Sequence, residues 1–126
     1  MNDLFPVTAA AAESLISSRF RVHPIVGDAM EPALRGGRDY VLAAPITSYA
    51  GEGIYLLNVG LGIDLYRVTT TFDGKGGLRL SRDNQRYQSH DITRERFEES
   101  VVGIVVADIK TRDDRFLRGA REEGRL

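Results

Sequence analysis

Short apolar segments that alternate with polar residues dominate the chain after residue 20. Alternation with a period of two is typical of β-strands that bury one face. Glycine, proline and polar residues separate the segments, so each strand is short and ends in a turn. These patterns predict a mainly β fold, a small barrel or coiled sheet with few short helical turns. The predicted strands cover residues 20–26, 39–45, 53–59, 63–71, 78–81 and 100–110.

The last predicted strand is the most apolar part of the chain. Every residue from Val101 to Val106 is apolar except Gly103, which indicates a bulge or a close approach of another backbone. Such a run predicts a strand that is buried on both faces. Two interpretations remain open, since the strand is either simple core or part of an interface between copies. The interface candidates are Val101, Val102, Ile104, Val105 and Val106.

The length of 126 residues corresponds to one domain. We expect residues 1–19 to be an arm or linker, 20–110 the folded domain and 111–126 a polar, solvated tail. Within the arm, residues 9–19 have a high helix propensity. Pro24 interrupts the first predicted strand, so this strand is expected at an edge of the sheet or at a bulge.

The composition excludes several classes of site. A net charge of −1, from 17 basic and 18 acidic residues, gives no general attraction to nucleic acid or anionic membranes. The absence of cysteine excludes disulfides, thiolate zinc sites and a thiol nucleophile. With only two histidines, the chain is predicted to hold no metal and no cofactor. No signal peptide and no apolar run of about 18 residues is present, so we expect a cytoplasmic protein without a membrane partner.

A tight corner with the sequence VGDAMEPALRGGRDYVL joins the first two predicted strands. A strand, a turn and a strand present one side chain to a cleft, yet the side chain at this tip is Ala29, which carries no reactive group. Asp28 and Glu31 are expected to cap the turn. His23 and His90 are expected to be structural or solvated. The candidates that line the cleft are Gly27, Asp28, Met30, Glu31, Pro32 and Arg67.

The corner resembles the signature of the LexA and phage-repressor C-terminal domain family, the self-cleaving serine–lysine peptidases. Three later segments resemble family segments in the same order. They are GEGIYLLNVG, the stretch from IDLYRV to the Asn-x-x-Tyr loop at Asn84 to Tyr87, and FEESVVGIVVADI. The resemblance extends over about residues 20–109 and implies a LexA-like coiled sheet.

The resemblance also implies which residues would carry catalysis. In the family, a serine at the corner attacks a peptide bond in the protein's own arm, and a buried neutral lysine is the base. Here Ala29 stands at the serine position, and Tyr66, followed by Arg67, stands at the lysine position. No glycine precedes Gly27, so the Ala-Gly or Cys-Gly bond that the family cuts is also absent upstream of the corner. We therefore expect a vestigial site with no intact catalytic residue.

The expected function follows from this loss. We expect a catalytically inactive dimerisation and regulatory module of a transcription regulator. The resemblance implies a homodimer paired through the closing strand across a two-fold axis, with DNA contacted only through a helix-turn-helix domain that this chain lacks. One alternative is a self-cleaving peptidase trapped by a Ser-to-Ala change at position 29. Another is a sensor that binds a protein or small-molecule effector in the former cleft around Ala29 and Tyr66.

Overall fold

The computed structural model describes residues 19–115, and seven antiparallel strands in this range form one sheet. The mainly β prediction is confirmed, and all six predicted strands are present. The strand order is β1-β2-β7-β3-β4-β5-β6. The predicted arm helix and most of the predicted tail lie outside the described residues. The elements are β1 Arg21–Pro24, β2 Tyr40–Pro45, β3 Gly53–Asn58, β4 Ile63–Thr70, β5 Leu78–Ser81, β6 His90–Ile92, α1 Arg94–Ser100 and β7 Val101–Ile109.

No strand or helix is predicted between residues 82 and 99, and the structure differs from that prediction in the second half of this segment. β6 pairs there with β5, and α1 begins after Thr93, whose hydroxyl accepts a hydrogen bond from the Arg96 amide at 3.1 Å. Only Ile92 in β6 is even partly buried, so the strand has no alternating pattern to detect. α1 buries Phe97 completely. No helix within residues 19–115 has the length and hydropathy of a membrane-spanning segment.

The sheet packs apolar side chains on both faces. Leu56 belongs to one buried cluster and its neighbour Tyr55 to the other, because successive side chains of a strand point to opposite faces. The corner, which we define as residues 27–39, covers the first cluster with Met30 and Leu34. α1 covers the second cluster with Phe97. We call these the corner cluster and the helix cluster. The Pro24 prediction is confirmed, since β1 is an edge strand.

Two bulges in β7 correct the prediction that this strand is buried on both faces. The pairing with β3 skips Val102, and the pairing with β2 skips Val106. An extra residue in a strand bends it and turns a side chain outward. Val102 and Val106 are therefore 37% and 49% exposed. Val101 is buried, while Ile104 and Val105 pack against the helix cluster and the corner cluster respectively.

A buried carboxylate ties the end of the corner to the end of β7. Asp39 is 1% exposed and accepts hydrogen bonds from the Arg35 amide at 2.9 Å and from Lys110 Nζ at 3.1 Å. Lys110 also donates to the carbonyl of Ala33. Thr111 is buried, and its hydroxyl donates to a backbone carbonyl of the corner. The packed structure thus reaches one residue beyond the predicted domain end at 110.

Candidate functional site

The Asn-x-x-Tyr loop clamps the tip of the corner through four hydrogen bonds. The Asn84 amide donates to the carbonyl of Ala29, and Asn84 Nδ2 donates to the carbonyl of Asp28, each at 2.9 Å. The hydroxyl of Tyr87 donates to Asp28 Oδ1 at 2.5 Å, and Arg86 Nη1 lies 3.3 Å from Asp28 Oδ2. The hydrogen bond to this carboxylate raises the pKa of Tyr87. The corner and the Asn-x-x-Tyr loop, which are distant in the sequence, therefore form one unit.

The geometry of the corner depends on two glycines. Gly27 has a φ of 79°, a conformation that side-chain-bearing residues rarely adopt. Gly36 packs so closely that a Cβ atom there would lie 2.0 Å from the Gly27 carbonyl oxygen. The first turn closes through the backbone, since the Glu31 amide donates to the Asp28 carbonyl at 3.1 Å. The expected capping role of the Asp28 side chain is therefore wrong, because this carboxylate binds the clamp loop instead.

A cleft of about 30 Å³ lies beside Ala29. Its polar groups come from His23, Asp64 and Arg82, and Met30 forms part of its apolar wall. Burial lowers the pKa of His23, an effect that the nearby Asp64 carboxylate partly opposes. Arg82 Nη2 lies 3.1 Å from Asp64 Oδ2, so the two charges largely neutralise each other. The volume accommodates one or two water molecules, and it is too small for a peptide.

Tyr66 does not line the cleft that contains Ala29. Its ring packs against the helix cluster, and the guanidinium carbon of Arg82 lies 4.1 Å from the ring centroid. Arg82 lines the Ala29 cleft and also covers the Tyr66 ring, so a permanent cation lies close to both the serine and the lysine positions. The side chain of Arg82 is 13% exposed. Ala29 offers no hydroxyl at the serine position, and Tyr66 offers no amine at the lysine position.

The other predicted cleft residues have different positions. Arg67 pairs with both carboxylate oxygens of Asp83, at 2.7 and 3.0 Å, and does not line the Ala29 cleft. Pro32, which follows a cis peptide bond, lies in the turn with Gly27, Asp28 and Glu31. Sequence reasoning missed Arg82 altogether. No pattern in the sequence marks a side chain that folds back from the loop after β5.

A larger cleft of about 380 Å³ lies on the Tyr66 side of Arg82. It is bounded by α1, β5, β6 and the turn between β3 and β4. His90 is exposed, as expected, and its ring lies edge-on to that of Tyr66 at a centroid distance of 6.0 Å. The residues that line this cleft are Leu57, Asn58, Val59, Gly60, Tyr66, Leu80, His90, Ile92, Arg96 and Ser100.

Two further findings concern metal binding and similarity to known proteins. Within residues 19–115, no three His, Cys, Asp or Glu side chains lie close enough together to hold a metal ion. No protein-family model matches the chain, and no curated protein matches its sequence.

Proposed function

We propose that the chain is a catalytically inactive domain of the LexA and phage-repressor type, which serves as the dimerisation and regulatory module of a transcription regulator. The observation that carries this proposal is the corner itself. Four hydrogen bonds hold its tip in place, yet the side chain presented there is the methyl group of Ala29. A serine-type peptidase needs a hydroxyl and a base that accepts its proton. Arg82 remains protonated and cannot replace the base.

The edge of β7 supports the dimerisation part of the proposal. Its pairing with β3 ends at Ile104, whereas its pairing with β2 continues to Ile109. Among the described residues, no strand pairs with the other edge of residues 105–109. An unpaired strand edge is a template for another chain, and Val106 adds an exposed apolar side chain to it. Antiparallel pairing of two such edges would give an isologous two-fold interface.

A cleavage assay tests the loss of catalysis. The chain as given, Ala29→Ser, Tyr66→Lys and the double variant are incubated at neutral and alkaline pH and weighed by mass spectrometry. We expect none of the four to lose its arm, because the permanent cation of Arg82 lies close to both positions and the arm lacks glycine. Self-cleavage of Ala29→Ser alone would identify a trapped enzyme and overturn the proposal.

Solution mass tests the dimer. Light scattering after gel filtration should give twice the 14.0 kDa of one chain. Val106→Arg places a charge at the open edge and should shift the mass to that of the monomer. Leu61→Arg is the matched control, because Leu61 is also an exposed apolar residue but lies in the turn between β3 and β4. It should remain dimeric. A monomeric wild-type chain at all concentrations, or equal dissociation by both variants, would contradict the interface.

A further inference from the structure

The cleft beside Tyr66 has a volume and an apolar base that are typical of a small-molecule site. Its volume of about 380 Å³ falls within the range of about 300–1,000 Å³ that is typical of ligand pockets. Leu57 and Leu80 are buried and belong to the helix cluster, and Ile92 packs against that cluster. The ring of Tyr66 forms one wall of the cleft. A flat apolar group would find a complementary surface there.

The rim of the same cleft is cationic. Its charge comes from Arg96, and no aspartate or glutamate lines the cleft. Within residues 19–115, the Arg96 guanidinium makes no hydrogen bond or ion pair. The acidic residue of β6, Asp91, already accepts hydrogen bonds from Nε and Nη2 of Arg79, at 2.8 and 3.2 Å. The charge of Arg96 is thus free to bind an anion.

The remaining polar groups of the rim are mostly donors. Asn58 Oδ1 accepts a hydrogen bond from the Gly60 amide at 3.0 Å, which leaves the two hydrogens on Nδ2 for a ligand. The hydroxyl of Tyr66 adds one more donor. Ser100 uses its hydrogen on the carbonyl of Arg96 at 3.2 Å. An excess of donors around one guanidinium favours a ligand that only accepts hydrogen bonds.

We propose that this cleft binds a small carboxylate that carries a flat apolar body. The body lies on Leu57, Leu80 and Ile92 beside the Tyr66 ring, and the carboxylate accepts hydrogen bonds from Arg96. A carboxylate suits the site better than a phosphate dianion, because a single planar guanidinium matches two carboxylate oxygens and neutralises one charge. The proposal goes beyond dimerisation and does not depend on it, since the cleft and the edge of residues 105–109 are lined by different residues.

The test is an NMR titration of the full chain labelled with ¹⁵N. The probes are 3-phenylpropionate, its neutral amide 3-phenylpropionamide, and acetate. We expect saturable shifts of the amides around the cleft with 3-phenylpropionate, and binding at least about tenfold weaker for the neutral amide and for acetate. Equal affinities for the carboxylate and its amide, or shifts confined to other residues, would overturn the proposal.

Two variants of α1 sharpen the test. Arg96→Gln should weaken 3-phenylpropionate about tenfold. Arg94→Gln removes the same charge from the same helix, but Arg94 lies over the ring of Tyr49 at 5.0 Å, outside the cleft. It should leave the affinity unchanged. The spectrum of each free variant shows whether the fold is intact, and Arg96→Lys, which keeps the charge without the planar fork, should bind with intermediate strength.

The chain's own arm is the competing occupant. A synthetic peptide of residues 7–15 is titrated against the same labelled protein. Shifts of the cleft amides at lower concentrations of the peptide than of 3-phenylpropionate would assign the cleft to the arm and overturn the proposal. The solution mass is measured without any probe, so failure of the ligand site and failure of the dimer are read from separate experiments.

Discussion

The Asp39–Lys110 pair offers a quantitative test of how the corner is held. The perturbation is Lys110→Met, which removes the ammonium group but keeps most of the aliphatic stem. Asp39 would remain buried. It would keep the hydrogen bond from the Arg35 amide but lose the one from Lys110. The matched control is Lys75→Met, because Lys75 is the only other lysine of the chain and lies in an exposed hairpin turn.

The expected magnitude follows from the exposure of the two partners. A hydrogen bond to a charged group contributes about 1.5–3 kcal/mol. The Asp39 side chain is 1% exposed, but that of Lys110 is 55% exposed, so solvent screens the pair and the lower end of the range applies. We expect Lys110→Met to lower the free energy of unfolding by about 1.5 kcal/mol, or the melting temperature by about 6 °C. Lys75→Met should change it by less than about 0.5 kcal/mol.

The effect should depend on pH in a defined direction. Burial would raise the pKa of the Asp39 carboxyl, but the hydrogen bonds from the Arg35 amide and Lys110 outweigh burial and hold that pKa below its usual range. A group with a lowered folded pKa contributes fully above its unfolded pKa of about 3.9, and the contribution is lost as the pH falls through the folded value. The difference between wild type and Lys110→Met should therefore persist from pH 7 to pH 5 and narrow below about pH 4.

The assay is urea denaturation followed by circular dichroism at several pH values between 3.5 and 7. The slopes of free energy against urea should agree between the variants, so that the midpoints report stability alone. If Lys110→Met matched the wild type at pH 7, or if its deficit were the same at pH 7 and pH 3.5, the buried ion pair would not stabilise the corner as argued.

Two further predictions concern packing. Gly36→Ala should lower the free energy of unfolding by about 3 kcal/mol, because its Cβ would lie 2.0 Å from the backbone of Gly27. The control is Gly53→Ala, whose Cβ meets its nearest atom at 3.9 Å, and it should leave the free energy of unfolding unchanged or raise it by up to about 1 kcal/mol. Equal melting temperatures for the two variants would contradict this. Phe97→Ala should cost about 3–5 kcal/mol in chemical denaturation, since Phe97 is fully buried and packs edge-on against Tyr49 and Tyr55. A loss below about 1.5 kcal/mol would show that α1 contributes little to the helix cluster.

Local patterns were sufficient for most of the strands. Alternation of apolar and polar residues is a property of each segment alone, so the six predicted strands are all present. The edge position of β1 also follows locally, because Pro24 cannot donate a hydrogen bond to a second neighbouring strand. β6 and α1 were missed because they are short and carry few apolar residues, and their positions depend on β5 and the helix cluster.

The candidate site was also only partly predictable from the sequence. The sequence indicated that Ala29 stands at the tip of a corner and that Asn84 to Tyr87 is a notable loop. It did not indicate that Tyr87 and Asp28 form a hydrogen bond, since the two residues are 59 positions apart. Nor did it indicate that Arg82 lines the cleft beside Ala29 and covers the ring of Tyr66.

The sequence by itself determined the strand content, the turns and the absence of a hydroxyl at the tip of the corner, because each depends on residue type or on neighbours in the chain. Which face of the sheet each side chain occupies depends on how distant segments of the chain pair and pack. Two bulges expose Val102 and Val106 in a run that the sequence predicts to be fully buried. A bulge depends on pairing with strands that are distant in the sequence, so local patterns do not predict it. The cleft beside Tyr66 arises for the same reason, because residues 57–60, 90–92 and 96–100 become neighbours only when the sheet and α1 are assembled.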